Sequence, residues 1–110
     1  MLRKTCAALL GLSLTFGAVG AVAKDSHLAE AIRHTREAVA AGREDKPNSL
    51  VMHATTALDH AKAAQRERPN AHVKKAVTRL EEAVKFGKAK RRAATTIADR
   101  ALQELERAPQ

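Results

Sequence analysis

Four histidines stand in two pairs, His27/His34 and His53/His60, the members of each pair seven positions apart. Near neutral pH an imidazole is a neutral nitrogen donor, well suited to a divalent transition metal. Two acids lie within helical reach of the first pair. Glu30 falls three residues after His27 and four before His34, and Glu37 falls three after His34. The second pair has no such neighbour, because Thr56 and Ala57 fill the equivalent places. A fifth histidine, His72, stands apart. The candidate metal donors are therefore His27, Glu30, His34, Glu37, His53, His60 and His72. Imidazole and carboxylate without thiolate suit copper(II), nickel(II) or zinc(II).

One helix cannot complete such a site alone. At about 100° per residue, two positions seven apart share one edge of a helix but stand roughly 10 Å apart along it. Each histidine needs a partner at three or four residues, or one from another helix. An antiparallel hairpin with its turn near Asp45 sets His34 level with His53, and His27 level with His60. Both pairs lie on the same-sense edge, flanking the apolar stripe. Like edges meet at one of the two interfaces that each helix makes in an antiparallel bundle. The bundle's handedness decides whether that interface joins the first two helices, and the sequence leaves handedness open.

The hairpin itself recurs. His27, Ala31, Glu37, Ala38, Val39 and Gly42 return 45 residues later as His72, Ala76, Glu82, Ala83, Val84 and Gly87. Ala54, Ala57 and Leu58 return as Ala98, Ala101 and Leu102. Each unit reads as helix, turn, helix, over about 26–68 and 71–108. Four apolar stripes of helical period follow: Leu28, Ala31, Ile32, Thr35, Ala38 and Val39; Leu50, Ala54, Ala57, Leu58 and Ala61; Val73, Ala76, Val77, Leu80 and Val84; Ala94, Ile97, Ala101, Leu102 and Leu105. A lone hairpin cannot cover its stripe, so the fold class is all-α, an antiparallel four-helix bundle built from two duplicated hairpins. Ser26 or Asp25 is placed to cap the first helix. Pro47 and Pro69 suit first turns, Gly42 and Gly87 suit left-handed helix ends, and Pro109 stops the last helix. Phe86 is the one aromatic residue after the first 23 residues and reads as local packing.

Residues 1–23 read as an export signal. Arg3 and Lys4 precede a small-residue and leucine-rich stretch from Cys6 to Val22, and Ala21-Val22-Ala23 offers a cleavage site. The stretch is short for a bilayer span and carries Gly11, Gly17 and Gly20. Cleavage leaves residues 24–110 as one small domain, without stable membrane insertion. It removes the only cysteine, and leaves eighteen bases against twelve acids, a net charge of +6. The expected location is the periplasm.

His27-Leu-Ala-Glu-Ala-Ile-Arg-His34, Ala57-Leu58-Asp-His60-Ala-Lys-Ala-Ala, Arg68-Pro-Asn-Ala-His72 and Leu80-Glu-Glu-Ala-Val84 resemble the small metal-binding protein family of bacterial periplasms. The likeness runs from about Ser26 to Arg107. It implies a secreted, monomeric four-helix bundle that binds several divalent ions, copper chiefly, in storage, buffering or tolerance. The matching candidates are His27, His34, His53, His60 and His72. The second unit departs from the pattern: Arg79 stands at the place of His34, and Lys75 at that of Glu30.

Charge divides the chain. Residues 24–68 carry eight bases and seven acids, whereas residues 69–110 carry ten bases and five acids. A bound cation is therefore expected in the first hairpin. The alternative function is a basic helical module. Lys85, Lys88, Lys90, Arg91 and Arg92 gather at the second hairpin turn and would face an anionic surface or a protein partner. Nucleic acid is disfavoured by export and by the lack of stacking aromatics. No nucleophile, phosphate loop or convergent acid–base set marks an enzyme.

Overall fold

Alanine, leucine, glutamate, lysine and arginine dominate the chain after the first segment, and these are the residues that pay least to become helical. The computed structural model describes residues 26–110, so the expected signal over 1–23 lies outside the described residues. Among those described, four helices follow one another: α1 (His27–Arg43), α2 (Pro47–Glu67), α3 (Ala71–Lys88) and α4 (Ala93–Arg107). Each packs on two neighbours, giving the ring α1–α2–α3–α4 and back to α1. The turns are short, so sequential helices run antiparallel. No described helix is long and apolar enough to cross a membrane.

The starts of the two hairpins are capped by side chains. Ser26 Oγ accepts from the Ala29 amide at 3.0 Å, and Asn70 Oδ1 accepts from the His72 and Val73 amides at 2.7 and 3.2 Å. Pro47 opens α2, where its missing N–H costs nothing. Pro69 does not open a helix. It precedes the cap Asn70 in the link between the hairpins.

The helix ends correct the expectation for Gly42 and Gly87. Neither has a positive φ; the left-handed residues are Asp45 at 61° and Lys90 at 57°. Around each, a paired hydrogen-bond pattern closes the helix. The Lys46 amide donates to the Ala41 carbonyl at 2.9 Å, and the Asp45 amide to that of Gly42 at 3.1 Å. The Arg91 and Lys90 amides repeat this on Phe86 and Gly87, both at 2.9 Å. The glycines sit inside the last turn because neighbours press on them. A Cβ on Gly42 would meet the Thr95 side chain and stand 2.8 Å from Leu50 Cδ1; one on Gly87 would stand 2.7 Å from Val51 Cγ2.

Alanine makes most of the core. Ala31, Ala38, Ala54, Ala57, Ala61, Ala76, Ala83, Ala98 and Ala101 are wholly buried. The large buried side chains are few, led by Leu50, Leu80 and Leu105. Thr35 is buried too and returns its hydroxyl proton to the Ala31 carbonyl at 2.6 Å. Leu28, Leu58, Val77, Val84, Phe86 and Leu102 are half-covered and pack on this core from its margins. Arg91 lies over the Phe86 ring at 5.7 Å.

Two substitutions separate propensity from packing. Gly42→Ala should cost about 1–3 kcal/mol through overpacking, although helix propensity alone predicts a gain of about 1 kcal/mol. Lys90→Gly should gain about 1 kcal/mol by relieving a left-handed L-residue. Urea unfolding of each variant gives both signs.

Candidate metal centre

The two flanks of α1 meet different neighbours. Arg36 and Arg43 reach α4, with Arg36 Nη2 at 2.9 Å from Glu106 Oε2 and Arg43 Nη2 at 4.0 Å from Asp99 Oδ1. The opposite flank, with His27, Glu30, His34 and Glu37, faces α2. On α2 the facing edge carries His53, His60 and Glu67, while Lys62 turns to Glu81 of α3. The two histidine edges thus meet along one seam.

Along that seam the rings alternate between helices. His27 and His60 bring their Nδ1 atoms to 3.0 Å, one donating and the other accepting. The His34 ring lies parallel to that of His60, 4° between planes and 5.9 Å between centres. It lies at the same separation from His53, with 27° between planes. Glu67 closes one end, with Oε2 at 3.6 Å from His27 Nε2.

Two groups of three donors converge here. Glu30, His34 and His60 form one and His34, Glu37 and His53 the other; in each, the ligand atoms lie within 4.8 Å of one another. Glu37 Oε1 stands 3.1 Å from His34 Nδ1 and 3.2 Å from His53 Nδ1. Yet His34 Nδ1 and Glu37 Oε1 are both buried and neither makes a hydrogen bond, because their approach is misaligned. Buried polar atoms are normally paired. Donor atoms converging in this way fit a small cation between them, any N–H proton on the rings being lost to solvent when it binds.

The electrostatics keep His34 ready. Burial first, and the Arg33 charge second, push its imidazole below the usual 6.5, against the opposing pull of Glu37 and Glu30. A neutral ring keeps its donor lone pair to lower pH.

His72 is not on this seam. It lies at the α3–α4 interface, with Nδ1 at 2.8 Å from Glu104 Oε1. The duplication explains the pairing: the offset that aligns Ala54 with Ala98 carries His60 to Glu104. His27/His60 has become His72/Glu104 in the second hairpin. His34 and His53 have become Arg79 and Ile97, and Arg79 Nη1 stands 3.4 Å from Glu82 Oε1, the counterpart of Glu37. A protein cation thus sits beside that carboxylate in the second hairpin. The sequence reading missed Glu67 and Glu104. Both were signalled, Glu67 by continuing the seven-residue row from His53 and His60, and Glu104 by the repeat offset.

Fold and seam together define a helical-bundle protein with imidazole–carboxylate groups able to hold a metal ion. The family comparison agrees. The model of the small metal-binding protein family matches residues 2–108, and the chain belongs to that family. No curated protein matches it.

The Glu104 pair gives a pH test. The hydrogen bond to His72, aided by the charges of Lys75 and Arg107, holds Glu104 below its usual 4.5 against the effect of burial. A carboxylate lowered in the folded state adds stability that is full above its unfolded value and lost as pH falls through its folded one. Thermal melts should show Glu104→Gln less stable than the parent at neutral pH, with the gap closing in acid below about 4.5.

Proposed function

We infer that this protein holds divalent metal ions, copper(II) foremost, on the seam between α1 and α2, and buffers them in the periplasm. The observation that carries this is the unpaired, buried meeting of His34 Nδ1 with Glu37 Oε1, and His53 Nδ1 beside them. Copper(II) heads the Irving–Williams order for a nitrogen and oxygen site. His34, Glu37 and His53 would hold one ion, with Glu30 and His60 offering a second group. The proposed role is binding, not turnover. Export rests on residues 1–23, whose basic start and small-residue stretch support removal before Lys24.

The basic end is a weaker basis for function. Of its cations, Arg92 stands 4.0 Å from Asp45 of the first hairpin turn, and Arg91 lies over the Phe86 ring.

Competitive titration of the isolated protein with Cu²⁺, Ni²⁺ and Zn²⁺ tests the assignment. Replacing His34 and His53 by Gln should weaken Cu²⁺ binding at least about tenfold. His72→Gln should leave the first binding step unchanged. Unchanged affinity in the double variant would refute the site. Recovery of a chain starting at Lys24 from the periplasmic fraction tests the location.

A further inference from the structure

The two donor groups share one residue. His34 belongs to both, and it turns a different ring nitrogen to each carboxylate: Nδ1 lies 3.1 Å from Glu37 Oε1, and Nε2 lies 3.8 Å from Glu30 Oε1. We propose that His34 bridges two divalent ions, one on each ring nitrogen, and that Arg33 occupies the Nε2 side in the metal-free protein. This rests on the metal-binding function above and adds how many ions the seam holds and what links them.

The helix itself sets up the bridge. Glu30 is four residues before His34 and Glu37 three after, so the carboxylates flank the ring from opposite turns. His53 and His60, a heptad apart on α2, extend the two groups in the same order. The His34 ring is held between them, parallel to His60 and stacked near His53. Bridging requires the remaining His34 N–H proton to leave to solvent, so that both nitrogen lone pairs donate. A bound cation favours that deprotonated form. The imidazolate, Glu30 and Glu37 then supply three negative charges against two divalent ions.

Arg33 contacts every member of the arrangement that lies on α1. Its Nη2 is 2.6 Å from Glu30 Oε1 and 3.1 Å from His34 Nε2, and its Nη1 is 3.6 Å from Glu37 Oε2. The guanidinium only donates, so His34 Nε2 is the acceptor in that contact. Its side chain is 53% exposed, so it can leave toward water. On the Nδ1 side Arg33 makes only its longest contact, to Glu37 Oε2, and leaves His34 Nδ1 and Glu37 Oε1 buried without a hydrogen bond. The two sides therefore fill in order. The Nδ1 group binds first, and the Nε2 group follows more weakly because Arg33 must give way.

The test is a Cu²⁺ titration read by spin counting in electron paramagnetic resonance, with bound copper measured in parallel. His72 is replaced by Gln to remove the outlying imidazole, and helical circular dichroism verifies folding. The first equivalent should give a full signal. The second should bind and remove most of it, as the two unpaired electrons couple through the ring. Arg33→Gln should tighten the second step about tenfold and the first by less. Two bound ions that both keep full signal, or a limit of one ion per chain, would overturn the bridge while leaving metal binding intact. No binding at all would overturn both. A second step unmoved by Arg33→Gln would remove Arg33 from the proposal.

Discussion

Alanine contact between α1 and α2 is the constraint on which the rest depends. Ala31 and Ala38 of α1, and Ala54, Ala57 and Ala61 of α2, are wholly buried. With only a methyl group at each of these positions, the backbones come close. Imidazoles on the flanking edges then reach across, with ring centres 5.2–5.9 Å apart. A leucine-rich interface would hold the helices apart and leave the same histidines as separate surface groups. Close packing has a cost: small side chains bury little apolar area, so Leu50, Leu80 and Leu105 carry a large share of the core.

The duplicated scaffold carries two different sets of side chains on one geometry. In the first hairpin the seam carries His27, His34, His53 and His60, with Glu30, Glu37 and Glu67 around them. In the second, the equivalent seam carries ordinary ion pairs, His72 with Glu104 and Arg79 with Glu82. Charge follows the same division, since the second half holds twice as many bases as acids. A cation is thus favoured on one side of the molecule by ligands and by the field alike.

Much of this was legible from residue types and spacing. Heptad-spaced histidines and repeated alanine stripes gave the helices, their level matching and most of the side chains along the seam. The helix ends were misread because glycine is the usual left-handed residue. Here Asp45 and Lys90 take that conformation, while Gly42 and Gly87 yield space to Thr95, Leu50 and Val51. That demand comes from side chains on other helices, and no local pattern carries it. Arg33 was equally hidden: one guanidinium between two carboxylates of its own helix looks like an ordinary exposed ion pair until His34 is seen beside it.

The sequence by itself determined four amphipathic helices in two hairpins, and it determined which residues share an edge, because helical period is a property of a single chain segment. It could not determine which edge meets which neighbour. That depends on the sense in which the ring of helices closes, which is set by packing between residues far apart in the chain. The tertiary structure turned the arginine flank of α1 toward α4 and its histidine flank toward α2. The opposite closure, with the same four helices, would have kept the two rows of imidazoles apart.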